Sequence, residues 1–95
     1  MDYVLSPLAA EDLEEIWHHI HAGNPPAADK MILRIFDIFS LLCANPLAGR
    51  IRKEILPKVR SLPVMPYLVF YIPTSKRIEI IRVLHGSRDI ETLFH

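Results

Sequence analysis

The alternation of apolar and polar positions divides this chain into a helical first half and a strand-rich second half. Tyr3 to Leu5 can form a short strand. The stretch SPLAAEDLEEIWHHIHAG then reads as a helix: Leu13, Ile16, Trp17 and Ile20 recur at i, i+3, i+4 and i+7, which places them on one face. Ser6 is a natural N-cap, Pro7 suits the first helical position, and the acids that follow favour the positive end of the helix dipole. Gly23 is placed to end it. NPPAADKMILRIFDIFSLLCANP reads as a second helix, capped by Asn24 and stopped by Asn45 and Pro46. Its core stripe is Ala28, Ile32, Ile35, Phe39 and Leu42, widened by Met31, Phe36, Ile38 and Cys43. The short break between the two predicts an antiparallel helical hairpin. Leu33 and Leu41 fall outside the stripe, near Lys30, Arg34 and Asp37, so they are exposed leucines or contacts for a partner.

From Leu47 onward the pattern is β-like. LAGRIRKEILP is a loop or a first strand. Lys58 to Leu62, Tyr67 to Ile72 and Arg77 to His85 are strands, the first two interrupted by Pro63 and Pro66, which suit a hairpin connection or an edge. Tyr67 to Ile72 and Ile80 to Leu84 are almost continuously apolar, so they should be central and covered. The predicted order is a short N-terminal strand, an antiparallel helical hairpin, an antiparallel β-meander and a short helical tail: one α+β domain over residues 1–95.

Composition narrows the class. Hydrophobic residues make up 51% of the 95, which argues against disorder. No apolar run reaches the ~20 residues of a membrane span, and Met1-Asp2 is not the basic start of a signal peptide, so a cytoplasmic location is expected. Cys43 has no second cysteine to pair with. Net charge is zero but segregated. Six acids and no lysine or arginine precede Lys30, whereas eleven bases and five acids lie from Lys30 on. That asymmetry would let one surface favour an anionic partner.

Two clusters carry candidate chemistry. Glu14, His18 and His21 share a helix flank, a ligand-like spacing, but the same residues are ordinary stabilisers of a helix C-terminus, and His85 and His95 are single. No metal or cofactor is expected. The second cluster is basic: Arg60 in one strand, Arg82 in the last, His85 and Arg88 at its exit. Neighbouring strands could bring these together, arginines to hold phosphate and a histidine to move protons, which would suit RNA cleavage at a 2′-hydroxyl. Equally, arginines at strand ends pair with acids or cap carbonyls.

Five segments, YVLSPLAAEDLEEIWHHI, NPPAADKMILRI, LCANPLAGRIRKEI, VRSLPVMPYLVFYI and IEIIRVLHGSRDI, resemble in order and spacing the RelE/ParE superfamily of toxins, most of all its ParE branch. The most specific pieces are L-x-x-x-P-x-x-G-R-x-R, Leu42 to Arg52, and R-V-L-H-G-x-R-D, Arg82 to Asp89. The resemblance implies the toxin of a bacterial type II toxin–antitoxin pair, neutralised by a ParD-like antitoxin with a ribbon-helix-helix region. Operator DNA would be bound indirectly, through that antitoxin. It implies DNA gyrase as the target, with Arg82, His85, Arg88 and Phe94 as candidate target contacts; Leu33 and Leu41, outside the core stripe, are candidate antitoxin contacts. The alternative is the RelE-like activity, ribosome-dependent cleavage of mRNA, with Arg60, His85 and Arg88 as catalytic residues. Phe94 stands about where some such nucleases carry a tyrosine and has no proton to give, and zero net charge is poor for gripping ribosomal RNA. The residues therefore favour a non-catalytic gyrase poison over an endoribonuclease.

Overall fold

The computed structural model describes residues 1–94; His95 lies outside them. Its elements are β1 (Asp2–Leu5), α1 (Pro7–His21), α2 (Pro25–Ala44), β2 (Arg50–Ile51), β3 (Arg60–Val64), β4 (Tyr67–Pro73), β5 (Arg77–His85) and α3 (Ile90–Phe94). The predicted α+β architecture is the one found, and each predicted helix start is made as expected. Ser6 Oγ accepts the Ala9 N–H and Asn24 Oδ1 the Ala27 N–H, each ahead of a proline at the helix start.

The strands form one sheet in the order β1-β5-β4-β3-β2. β2 to β5 run antiparallel as a meander, and β1 pairs with β5 in parallel, from Asp2 opposite Arg77 to Leu5 opposite Ile80. The sheet is therefore mixed, because the helical hairpin returns the chain to the far edge before the meander begins. The strand expected over Lys58 to Leu62 starts at Arg60 and runs on through Pro63 to Val64. Pro63 is tolerated because β2 covers only Arg60 and Ser61, so the proline's missing N–H lies beyond the short edge strand.

Both faces of the sheet are covered, unequally. Ala9, Leu13 and Ile16 of α1 and Ile35, Phe39 and Leu42 of α2 pack on Val64, Tyr67, Val69, Tyr71, Ile78, Ile80 and Val83. The opposite face carries a smaller cluster, in which Ile55 and Val59 of the β2–β3 loop and Ile90 of α3 cover Phe70 and Leu84. Ile80 and Val83 would point to opposite faces in a regular strand. A bulge resolves this: Phe70 pairs with Arg82 and Tyr71 with Ile80, leaving Ile81 as the extra residue, so both Ile80 and Val83 enter the helix-side core.

Candidate functional site

β1 pairs with β5 only as far as Ile80, so the outer edge of β5 from Ile81 onward needs other partners. The start of α1 supplies them. Ser6 Oγ donates to the Ile81 carbonyl at 2.8 Å, and Asp12 Oδ2 accepts the Val83 N–H at 2.9 Å. The same carboxylate takes Arg82 in a two-pronged grip, Nε to Oδ2 and Nη2 to Oδ1, both 2.8 Å. Asp12 is buried and Arg82 nearly so. The hydrogen bond that Arg82 donates to Asp12 is the main influence raising the Arg82 pKa; burial opposes it, and the charges of Asp12, Glu15 and Glu11 add to it. Arg82, expected as a target contact, is held by Asp12 and ties the edge of β5 to α1.

Past this lock, a cleft of about 300 Å³ opens between α1 and the end of β5, lined among others by Glu15, His19, Tyr67, His85 and Arg88. His85 stands against the edge of the Tyr67 ring, centroids 5.5 Å apart. Its Nδ1 accepts the Ser87 backbone N–H at 3.1 Å and lies 2.8 Å from Ser87 Oγ. A ring nitrogen that accepts a backbone N–H carries no proton itself, so the proton of the neutral ring sits on Nε2. The Arg88 N–H closes the turn onto the His85 carbonyl at 3.0 Å. The Gly86 N–H donates to the Pro66 carbonyl at 2.9 Å, and Asp89 caps α3 through Thr92. Among the candidate residues, then, His85 and Arg88 share one cleft, which Asp12 of the Asp12–Arg82 pair also lines.

Arg60 is not among them. It stands opposite Tyr71, whereas His85 stands opposite Tyr67, four residues along β4 and two strands across. That offset is about 13 Å along and about 10 Å across the sheet. The Arg60 guanidinium donates instead to the carbonyls of Gly49 (2.8 Å) and Leu47 (3.3 Å). Phe94 lies elsewhere again, its ring edge-on to Phe70 at 5.2 Å in the smaller cluster, where Arg52 also sits 5.5 Å from the Phe70 ring centre. Neither Arg60 nor Phe94 meets the His85 imidazole. Leu33 and Leu41 are 63% and 41% exposed. Eight positions apart on α2, they point about 80° away from each other. Leu41 borders a shallow hollow with Pro46 and Leu47.

The Leu42 to Arg52 segment turns out to be an anchoring device. Leu42 is fully buried. Tyr71 Oη accepts the Gly49 N–H at 2.7 Å and donates to the Pro46 carbonyl at 2.9 Å, pinning the loop between α2 and β2 to the central strand. A Cβ on Gly49 would stand 2.6 Å from Tyr71 Cε1 and 2.9 Å from the Ser61 carbonyl, so this position admits only hydrogen. Arg52 bridges Glu54 and Ser61 Oγ. On α1, Trp17 donates to Asp29 at 2.9 Å and stacks on His21, and no metal-binding group of three or more His, Cys, Asp or Glu occurs among the described residues. Nor does any described helix have the length and apolarity to cross a membrane.

This architecture and these sequence segments have known counterparts. The family described as ParE toxin of type II toxin-antitoxin system, parDE, matches residues 3–90. Toxin ParE1 of Mycobacterium tuberculosis is 33% identical over 94% of this chain and 93% of its own length. Toxin ParE3 of Caulobacter vibrioides is 29% identical over 83% of this chain and 80% of its own. A chain of the chromosomal ParDE TA system from P. aeruginosa superimposes with a TM-score of 0.75 at 29% identity, covering 90% of this chain and 95% of that one. With the same fold throughout and a match spanning nearly all of its length, the chain belongs to the ParE toxin family of type II toxin–antitoxin systems.

Proposed function

We propose that this toxin poisons DNA gyrase by binding it and is held inactive by a ParD-like antitoxin. The observation that carries this over the ribonuclease reading is the separation of Arg60 from His85. Cleavage at a 2′-hydroxyl needs a phosphate holder and a proton carrier at one phosphodiester, within hydrogen-bond reach of it. Of the two arginines that the ribonuclease reading assigns to the phosphate, Arg60 is tied to two loop carbonyls on another part of the sheet, so Arg88 alone stands beside His85. Phe94, at the tail, has no proton to give and is packed on Phe70. His85 and Arg88 remain exposed beside the cleft and are the target contacts of this reading. Arg82 acts beneath them as a positioning residue, and Phe94 as a support of the opposite face.

The antitoxin, with a ribbon-helix-helix region, would contact α2 at Leu33 and Leu41. It would connect the complex to operator DNA, and both partners would meet in the cytoplasm. The toxin released from its antitoxin, added to gyrase supercoiling and cleavage reactions and in parallel to in vitro translation, tests the proposal. Loss of supercoiling with gyrase-linked DNA breaks is expected, with translation unaffected and with His85→Ala/Arg88→Ala weaker by at least about tenfold, the loss of one or two charge-assisted contacts. Arrested translation with mRNA cut at codons, and gyrase untouched, would transfer the assignment to the ribonuclease reading.

A further inference from the structure

The sequence places its acids early and its bases late, and the fold turns that order into a charge separation across the sheet. Helix α1 packs on β5 and β1 and exposes Glu11, Glu14 and Glu15. The opposite edge is β2, followed by a loop that returns to β3. Between residues 50 and 60 the chain carries Arg50, Arg52, Lys53, Lys58 and Arg60 against Glu54 alone. Glu54 is paired with Arg52, and Arg60 is tied to carbonyls. Arg50, Lys53 and Lys58 are exposed and have no acidic partner among the described residues. The register adds Lys76, since the β4–β5 turn lies at the same end of the sheet as Lys58.

The loop that displays these cations is not a loose one. The Arg52 N–H donates to the Val59 carbonyl at 2.8 Å, and the Ile55 and Leu56 N–H groups both return to the Arg52 carbonyl. Ile55 and Val59 are buried in the smaller core. A stiff base therefore holds several unpaired cations outward, at the edge farthest from the acidic helix.

We infer that this edge binds the phosphate backbone of duplex DNA. A duplex presents about one charge per 1.7 Å of axis, and cations that neutralise its phosphates release condensed counterions. The acidic α1 on the other edge repels the same polyanion, so a chain of zero net charge meets it in one orientation. The choice of duplex DNA over other polyanions rests on the gyrase reading, because that target holds duplex DNA. The inference adds a direct contact from toxin to DNA, separate from the cleft at His85 and Arg88 and separate from any contact made through an antitoxin.

The test contains no gyrase, so its failure and failure of the target assignment are distinguishable. Antitoxin-free toxin is titrated into a fluorescent duplex DNA of about 20 base pairs at several salt concentrations, with duplex RNA and polyglutamate as competitors. Binding should weaken steeply with salt. Lys53→Glu/Lys58→Glu should lower the slope of log K against log salt by about 2 and raise Kd at least about tenfold at low salt. Lys53→Gln/Lys58→Gln should give the same slope change without charge reversal, and circular dichroism should show both variants folded. Lys30→Glu/Arg34→Glu on α2 should leave the slope unaltered. No binding at low salt, an unchanged slope in the loop variants, stronger binding of duplex RNA, or displacement by polyglutamate at equal charge would each overturn the inference.

Discussion

Asp12 and Arg82, seventy residues apart, meet in a two-pronged ion pair with both bonds at 2.8 Å, and the same carboxylate takes the Val83 N–H. One side chain thereby closes the open edge of β5 and fixes the angle at which α1 crosses it. Removing one partner of a buried pair leaves the other charge uncompensated, at a cost of about 3–5 kcal/mol. Asp12→Ala should lose about that much in urea unfolding. The double variant Asp12→Leu/Arg82→Met should recover part of it, because no charge is left uncompensated. The remaining deficit is about 1–3 kcal/mol for the stranded Val83 N–H. Strictly additive single substitutions would show that the two side chains do not act as a unit.

Tyr71 does for the loop between α2 and β2 what Asp12 does for the sheet edge. Its hydroxyl satisfies the Gly49 N–H and the Pro46 carbonyl at once. Tyr71→Phe keeps the ring and strands both backbone groups, so unfolding free energy should fall by about 1–3 kcal/mol. Gly49→Ala, which drives a methyl into the Tyr71 ring and the Ser61 carbonyl, should cost at least as much. Thermal or urea unfolding of the two variants checks this, and a Gly49→Ala protein as stable as the parent would refute the close-approach argument.

Burial also sets a limit in alkaline solution. Tyr67 and Tyr71 are both buried, and loss of solvation pushes both phenols above the ordinary tyrosine range. At Tyr71 the Gly49 N–H and the Arg60 charge pull the other way without overcoming it. Above about pH 10 the unfolded chain releases these protons while the folded chain retains them, so the unfolded state binds fewer protons and stability falls as pH rises. Below that point the contribution is fully present and flat. The raised Arg82 pKa has the same sign but acts at still higher pH. Stability measured from pH 8 to 11 should bend downward near 10, and Tyr67→Phe should flatten the decline; an unchanged slope would show that Tyr67 does not contribute to it.

Period and punctuation in the sequence were enough for the element order, because caps, prolines and apolar spacing are local signals. The strand expected from Lys58 starts two residues later because Lys58 sits in a turn closed by the Val59 N–H on the Leu56 carbonyl. The parallel pairing of β1 and the bulge at Ile81 depend on contacts between positions far apart in the sequence, which leave no local trace. In the site, Arg82 was readable as important but not as occupied. The missing signal lay in α1: Asp12 falls on the apolar face with Ala9, Leu13 and Ile16, and a buried acid requires a cation. Arg60 shows the opposite case. Its alignment with a nuclease arginine is a matter of sequence position, whereas its role follows from two loop carbonyls that only the fold brings near.

Leu33 and Leu41 stand on the outer side of α2, so neither contributes its apolar surface to the core. Exposed leucines on a helix surface otherwise rich in charge are candidates for burial by a partner, but the 80° between them sets a geometric condition. A single helix lying along one stripe of α2 reaches one of them. An antitoxin segment that wraps across the helix reaches both, Leu33 beside Phe36 and Leu41 at the hollow with Pro46 and Leu47. Wrapping predicts that Leu33→Glu and Leu41→Glu each weaken antitoxin binding, and that the double variant loses the product of the two effects, since the sites are too far apart to couple. Docking along one stripe predicts that only one substitution matters. Calorimetric titration of the antitoxin into the three variants separates these outcomes, and an affinity unchanged even in the double variant would remove α2 from the antitoxin interface.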